Sequence, residues 1–274
     1  MRNDPAEAPA TETLRLLVTA KTYPHPSTRY DEIVCTAGIT ADGRWIRLYP
    51  IRFRYWDEQQ QYDLYDWVEL KARKRPPHKD KRKESYEPAG GEVRIVGHVG
   101  TKGNWAERKR LVLPHARMSI EELLARYESD GESLGIIKPT EINEVKVERV
   151  RDDWTGAQKR VLEQGLLWDR QPKPLEKMPY RFSYGFRCDD SRCKGHTMQI
   201  ADWGLYYLFL KLRRSEGEKS ALTKTRQKCE ELAAVDKDTY LYVGTVYPHR
   251  SCIVIGMFYP RKQRPGDQHG LPFG

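Results

Sequence analysis

The 274-residue sequence lacks the features of secreted and membrane-spanning proteins. It has only five cysteines, an odd number that argues against a disulfide framework and favours reduced thiols. No stretch approaches the roughly twenty apolar residues that a membrane-spanning helix needs. The N-terminus has neither the basic nor the apolar region of a signal peptide. We therefore expect a cytoplasmic protein that does not bind membranes.

The sequence also lacks the common nucleotide-binding motifs. It contains no G-x-x-x-x-G-K-[ST] loop and no G-x-G-x-x-G between a strand and a helix, so nothing supports nucleotide hydrolysis or dinucleotide binding. Hydrophobic residues make up 38% of the chain and charged residues 32%. This composition indicates a globular protein with a strongly charged surface.

Positive charge is concentrated in one place. Residues 71–83, the basic segment, hold eight Lys or Arg against one acid, Asp80, and so carry about +7 of the formal net charge of +9. Such a concentration is typical of a surface that binds a polyanion, most often nucleic acid. A solvated loop is the alternative. The predicted phosphate contacts are Arg73, Lys74, Arg75, Lys79, Lys81, Arg82 and Lys83.

The first hundred residues predict a flexible leader followed by a sheet. Residues 1–12 have no apolar period and form the leader, and residues 13–100 form a β-rich basic domain. Two alternating runs flank Asp42-Gly43, a pair that favours the turn of a β-hairpin. A strand also leads into the basic segment and ends before Pro76-Pro77, because proline removes backbone donors.

Aromatic and basic side chains share one face of these predicted strands. Because successive side chains of a strand point to opposite faces, Trp45, Arg47 and Tyr49 lie together, and so do Trp67 and Lys71. Such a face offers rings for base stacking and cations for phosphates, as on OB-type and other β-sheet readers of single strands. The alternative is that the tryptophans cover a second small core.

Residues 101–274 predict an α+β region, either separate from the first domain or continuous with it. Ser119 and Glu122 fit a capping box at the start of a helix. A long helix is predicted from Thr197, with Trp203 and Tyr207 on its buried face. Two apolar strands close the region as a hairpin. The predicted fold is α+β, with an N-terminal twisted antiparallel sheet or small β-barrel and C-terminal helices plus a β-hairpin.

A Cys/Cys/His group is the clearest metal-binding pattern. Cys188, Cys193 and His196 fall within nine residues, and soft sulfur and nitrogen ligands on a tight turn suit Zn²⁺. A structural zinc site needs a fourth ligand, which the spacing does not identify. Water in that position would make the site catalytic, and a polar hairpin tip with two free thiols is the alternative to a metal site. The candidates for the fourth ligand are Cys229, His115, His249 and Asp189.

A short pattern beside the basic segment suggests nuclease chemistry. Glu69 and Lys71 form an E-x-K on one strand face, and Asp57, Asp63 or Asp66 could supply a further carboxylate for Mg²⁺. The pattern resembles the D…E-x-K of the restriction-endonuclease-like fold, which implies Mg²⁺-dependent cleavage of nucleic acid. An exposed charged strand is the alternative.

The sequence therefore predicts a nucleic-acid-binding protein, for DNA or RNA, with a structural zinc site. The two alternatives are a Mg²⁺-dependent nuclease that uses Asp57, Glu69 and Lys71, and a subunit whose basic segment meets an acidic protein partner.

Overall fold

The computed structural model describes residues 10–27, 31–117, 119–165, 172–249 and 251–263. Within these ranges the chain forms thirteen strands and five α-helices. The strands are β1 (Thr11–Lys21), β2 (His25–Ser27), β3 (Asp31–Thr40), β4 (Trp45–Ile51), β5 (Asp66–Lys74), β6 (Ser85–His98), β7 (Ala116–Arg117), β8 (Leu134–Ile137), β9 (Pro139–Arg149), β10 (Tyr180–Cys188), β11 (His196–Gln199), β12 (Tyr240–Thr245) and β13 (Cys252–Phe258). The helices are α1 (Lys102–Val112), α2 (Ile120–Asp130), α3 (Gly156–Gly165), α4 (Trp203–Glu216) and α5 (Glu218–Leu232).

The N-terminal strands close into a five-stranded barrel. Hydrogen bonds link β1, β5, β6, β4 and β3 in that order, and β1 closes the ring by pairing with β3. Alternation of apolar residues explains the closure, because Leu14, Leu16 and Val18 of β1 point inward and are almost fully buried. The predicted hairpin around Asp42-Gly43 is confirmed as the antiparallel pair of β3 and β4.

The order of the barrel strands determines where the basic segment lies. The pairing of β4 with β6 is parallel, and all other barrel pairs are antiparallel. A five-stranded barrel with this strand order resembles the Greek-key barrel of the OB type. The basic segment begins on β5 and continues into the loop before β6, so it joins the fourth and fifth strands of the barrel.

The C-terminal region contains two further sheets with helices packed on them. One sheet has the order β13-β12-β8-β7 and the other β11-β10-β9. The predicted terminal hairpin is confirmed by the antiparallel pairing of β12 with β13. The fold is therefore mixed α+β, with a closed barrel at the N-terminus and helices plus strands at the C-terminus.

A shared apolar cluster joins the barrel to the C-terminal region. Leu17 and Ala37 of the barrel are buried in the same cluster as Ile136, Tyr242 and Phe258. The close approach of the two parts is clearest at Gly256, where an added Cβ would lie 3.2 Å from the Ala20 Cβ. The outer face of the barrel strands β1, β3 and β4 is thus partly covered by β8, β12 and β13.

Two local predictions need correction. Thr11 and Glu12, predicted as leader, form the start of β1, whereas residues 1–9 lie outside the described residues. The long helix begins at Trp203 and not at Thr197, because residues 196–199 pair with β10 as β11. Asp202 caps this helix by accepting a hydrogen bond from the Leu205 amide at 2.8 Å.

The later start also changes which face of α4 is buried. The buried residues are Leu205, Tyr206, Phe209 and Leu210, whereas Tyr207, predicted as core, is 57% exposed. None of the helices in the described part of the chain has the length and apolar character needed to cross a bilayer.

Candidate functional site

Four side chains from two separate parts of the chain form a metal-binding cluster. Cys188 ends β10, and the antiparallel pairing of β10 with β11 brings Cys193 and His196 back beside it. Gly195 makes this turn possible, since its φ of +94° suits glycine and few other residues. Glu121 comes from the first turn of α2. One potential ligand atom from each of the four side chains lies within 4.8 Å of the others.

The cluster is compact and mostly buried. Glu121 Oε1 lies 3.1 Å from His196 Nε2, which in turn lies 3.4 Å from Cys193 Sγ. Both cysteines are buried, and the side chains of Glu121 and His196 are 17% and 16% exposed. The second carboxylate oxygen of Glu121 is buried and has no hydrogen-bond partner. A cation bound between the four side chains would satisfy this oxygen.

Backbone amides surround the sulfur atoms. The amides of Cys188 and Gly195 donate to Cys193 Sγ at 3.2 and 3.4 Å. Burial raises the pKa of the Cys188 thiol to about 12, and the backbone amide of Ile120 at the start of α2 opposes this rise. Amide donors of this kind stabilise thiolates, the form in which cysteine binds metals.

A second layer of hydrogen bonds holds α2 against the turn between β10 and β11. Ser119 accepts from the Glu122 amide at 2.9 Å, which confirms the serine half of the predicted capping box, and donates to the Asp190 carboxylate at 2.7 Å. Hydrogen bonds from Arg192 hold the pKa of Asp190 well below its ordinary value. The same serine therefore starts α2 and fixes Glu121 relative to the two cysteines.

The cluster of Glu, Cys, Cys and His can hold a metal ion. Three of its members were predicted from their spacing, and the fourth, Glu121, was not among the candidates that we considered. Cys229 instead lies in the core, where its carbonyl accepts from the Tyr184 hydroxyl at 2.8 Å. His115 packs against Gly43, away from the cluster. Among the described residues, His249 and Asp189 also lie outside it.

The basic segment divides into exposed lysines and partly or fully buried arginines. Lys71, Lys74, Lys79, Lys81 and Lys83 are exposed. In the described part of the chain, no acid forms an ion pair with the first four of these lysines. Lys81 lies with its Nζ 4.5 Å from the centre of the Tyr127 ring of α2.

Two predicted phosphate contacts are already paired with acidic side chains of the protein. Arg82 is only 7% exposed and binds Asp80 through two hydrogen bonds of 2.7 and 2.8 Å. It also donates to the Thr245 carbonyl at 3.1 Å, so its guanidinium cannot reach a ligand on the surface. Lys83 is exposed but forms ion pairs with Asp130 and Glu132. The segment therefore presents less positive charge than its composition suggests.

The remaining two arginines are half-buried. Arg75 lies 3.4 Å from the Glu87 carboxylate and packs against the Tyr49 ring at 5.6 Å. Arg73 is on β5 opposite Glu87 in the adjacent strand β6.

The predicted aromatic and basic strand face is mostly covered by the C-terminal region. Arg47 is 3% exposed and donates to the Ser133 hydroxyl at 2.9 Å. Trp45 is half-buried and packs edge-on against Tyr242 at 6.3 Å between ring centres. Trp67 is also half-buried and lies beneath Arg15. Trp45 is thus covered by Tyr242 of β12, and Trp67 packs against the same apolar cluster.

Two family models match the chain, and both describe domains of unknown function. The model DUF8758 matches residues 12–114, which include the barrel. The model DUF8757 matches residues 116–271, more than half of the chain, and this range contains all four residues of the metal-binding cluster. The chain belongs to the DUF8757 family. No curated protein matches it.

Two of the candidate nuclease carboxylates of this DUF8757 chain pair with basic side chains. Glu69 forms ion pairs with Arg94 at 2.7 Å and with Arg15 at 3.9 Å, while Lys71 is exposed at the next position on its face. Asp66 pairs with His98 instead. Across the described ranges, the cluster at Glu121 is the one group of three or more His, Cys, Asp or Glu with metal-binding spacing. Neither Asp57 nor Glu69 belongs to it.

A further motif of this DUF8757 chain has the spacing of a serine-hydrolase elbow. Residues 131–135 read G-E-S-L-G, and the middle residue is Ser133. An elbow needs a strand, a sharp turn and a helix that expose the serine. Ser133 instead follows α2, precedes β8 and is fully buried, with its hydroxyl bonded to Glu84 and Arg47. Ser133 therefore does not have the exposed position of an elbow serine.

Proposed function

We propose that the protein binds DNA or RNA through the exposed lysines of its basic segment. The observation that carries the proposal is the position of the loop in this segment, between the fourth and fifth strands of an OB-type barrel. In OB-type barrels this loop is among those that contact oligonucleotides. Exposed lysines that form no ion pair within the protein are available to bind phosphate oxygens.

Lys74, Lys79 and Lys81 are the residues that we assign to phosphate contacts. All three are exposed, and none has an ion-pair partner among the described residues. Lys83 contributes less to binding, because Asp130 and Glu132 already balance its charge. Arg82 supports the loop from inside through Asp80 and does not contact the ligand.

We further propose that the metal at the cluster is zinc in a structural role. Two sulfurs, an imidazole and a carboxylate make four protein ligands, the number found in structural zinc sites. The donor set favours zinc over magnesium or calcium, which prefer all-oxygen ligands. Such a site would tie the start of α2 to β10 and β11. The other end of α2 borders the basic segment, so the metal would also help to hold that segment in place.

Fluorescence anisotropy with a labelled single-stranded oligonucleotide tests the nucleic-acid proposal. We expect the triple substitution of Lys74, Lys79 and Lys81 by Gln to weaken binding by roughly tenfold or more near physiological salt. The matched control removes the same formal charge from exposed lysines elsewhere, in K102Q/K211Q/K219Q, and should bind within about twofold of the wild type. Equal losses in both triple variants, or none in either, would contradict the proposal.

Metal analysis of the purified protein tests the zinc proposal. About one zinc per chain is expected in the wild type, and Glu121→Ala should lower the zinc affinity roughly tenfold to a hundredfold or more, because it removes a ligand. Glu122→Ala is the control, since Glu122 shares the same helical turn but is not in the cluster. Stoichiometric binding of another metal would support the metal site but contradict its assignment to zinc.

A further inference from the structure

Helix α2 connects the metal-binding cluster to the basic segment. Its first turn supplies Glu121 to the cluster, and its last turn contacts the loop of the basic segment through Tyr127 and Asp130. Glu121 and Tyr127 are six positions apart in the sequence, which corresponds to about 9 Å along a helix axis. The two sites are therefore joined by a single helix of 11 residues.

The position of the start of α2 depends on how the buried groups of the cluster are satisfied. The side chain of Glu121 is mostly buried, and its Oε1 lies 3.1 Å from His196 Nε2 while its Oε2 has no hydrogen-bond partner. The buried thiols of Cys188 and Cys193 complete the cluster. A bound cation would satisfy the Glu121 carboxylate, and loss of that cation would favour a shift of Glu121 towards water. Metal binding therefore favours the packed position of α2.

The end of α2 is packed closely against the basic segment. The Lys83 amide donates to the Gly131 carbonyl at 3.0 Å, and the Lys83 ammonium pairs with Asp130. A Cβ added to Gly131 would lie 2.5 Å from the Lys81 carbonyl, so the two backbones are almost in contact. The Lys81 ammonium lies 4.5 Å from the centre of the Tyr127 ring. A shift of α2 would therefore displace Lys81, one of the lysines assigned to phosphate contacts.

We propose that zinc binding at the cluster and nucleic-acid binding at the basic segment are coupled through α2, so that each strengthens the other; this inference rests on the proposed function. With zinc bound, Glu121 stays beside the cysteines, and the end of α2 stays where it orients Lys81. Nucleic acid orders the loop around Lys81 and so favours the same position of α2. The protein therefore binds nucleic acid more tightly when zinc is available.

Coupling between two binding sites is reciprocal. If removal of zinc weakens oligonucleotide binding by a given factor, saturating oligonucleotide must strengthen zinc binding by the same factor. Allosteric couplings commonly amount to about fivefold or more. We expect about fivefold here, which is smaller than the loss in the triple lysine variant, because the lysines themselves remain.

Two titrations of the full chain test the coupling. In the first, fluorescence anisotropy measures binding of a labelled single-stranded oligonucleotide to zinc-loaded protein and to protein stripped with a chelator. The stripped protein should remain folded, as judged by its melting temperature, and bind about fivefold more weakly. In the second, competition with a zinc-binding dye measures the zinc affinity, which should rise by the same factor in saturating oligonucleotide.

A variant of α2 separates the coupling from the two sites themselves. Tyr127→Leu/Asp130→Asn removes contacts of the helix with Lys81 and Lys83 but leaves the four metal-binding residues and the lysines in place. Its coupling factor should fall below about twofold, and this ratio is the readout rather than either affinity alone. Ser129→Ala is the control, because Ser129 is exposed in the same turn and forms no hydrogen bond with the loop among the described residues. It should keep the wild-type factor.

The outcomes distinguish this inference from the function on which it rests. If zinc-loaded and stripped wild type bind equally and the lysine triple variant still binds weakly, the coupling is overturned and the nucleic-acid proposal stands. An unchanged factor in the folded Tyr127→Leu/Asp130→Asn protein would also overturn the coupling, since α2 would not carry it. Unfolding of the stripped wild type would overturn it as well, because global unfolding would then explain the loss. If the wild type binds no oligonucleotide in either form, both proposals fail.

Discussion

The two ends of helix α2 carry two sites that are built in different ways. At its start, Glu121 meets two cysteines and a histidine in a buried cluster with its ligand atoms within 4.8 Å. At its end, Tyr127 and Asp130 contact the basic segment, whose cations are divided between internal ion pairs and exposed lysines. A metal site needs a few atoms in a fixed arrangement, whereas a charged surface depends on which of its many charges stay unpaired.

Loss of a metal ligand should have the largest effect on stability. It would also distinguish most clearly between the sites at the two ends of α2. Cys193→Ser removes a sulfur ligand, so we expect loss of the bound metal and a free energy of unfolding lower by on the order of 4 kcal/mol. Metal content per chain and urea denaturation measure these effects.

Cys252→Ser is the control for this prediction, because Cys252 is half-buried in β13 and lies outside the cluster. Its metal content should match that of the wild type. A Cys193→Ser protein that keeps one metal per chain would show that the cluster is not the site.

Breaking the internal ion pair of the basic segment should have the next largest effect. Asp80→Ala leaves the buried guanidinium of Arg82 without its carboxylate, which should lower the free energy of unfolding by about 3 kcal/mol. Adding Arg82→Ala should recover part of this loss, because the uncompensated charge is then gone. A double-mutant cycle by urea denaturation measures the coupling, and purely additive losses would mean that the two residues do not interact.

Acid should weaken the same pair. Burial raises the pKa of Asp80, but the hydrogen bonds and charge of Arg82 lower it further, so the net pKa lies below its ordinary value. The stabilisation by ionised Asp80 is therefore present above about pH 4, the ordinary pKa of aspartate, and is lost as the pH falls below it. We expect the stability difference between wild type and Asp80→Asn to be largest near pH 7 and to shrink by pH 3 in urea titrations. A constant difference would rule out this linkage.

The ion pairs of Lys83 should have the smallest effect. The lysine side chain is 43% exposed, so Lys83→Ala should change the free energy of unfolding by at most about 1 kcal/mol, even though two acids lie within 3.1 Å. The comparison with Asp80→Ala would sharpen the contrast between buried and exposed pairs within one segment. If Lys83→Ala lowered the free energy of unfolding as much as Asp80→Ala, the exposed ion pairs would stabilise the loop as much as the buried pair does.

Patterns within short stretches predicted the elements that depend on nearby residues. Alternating apolar residues gave the barrel strands, Asp42-Gly43 marked a hairpin, and Ser119 marked the start of α2. Spacing alone also found Cys188 and Cys193, because β10 and β11 are joined by one short turn. These features were predictable because each is decided by local geometry.

Features that depend on distant parts of the chain were not predictable in this way. Glu121 is a metal-site residue only because α2 packs its first turn on the β10–β11 turn, and no spacing links it to the cysteines. Arg47 is buried against another region of the chain, where Ser133 accepts its hydrogen bonds. The separation of Arg82 from the exposed lysines likewise depends on the contact of its loop with Thr245 of β12.

The salt dependence of oligonucleotide binding tests the central proposal most directly. For a single strand, the logarithm of the binding constant should fall with the logarithm of salt concentration with a slope of about −0.7 for each phosphate contact. We predict that replacing Lys74, Lys79 and Lys81 by Gln makes this slope shallower by about 2, whereas the control triple variant K102Q/K211Q/K219Q keeps the slope of the wild type. A slope that is near zero in the wild type, or that is the same in all three proteins, would contradict binding of nucleic acid through the basic segment.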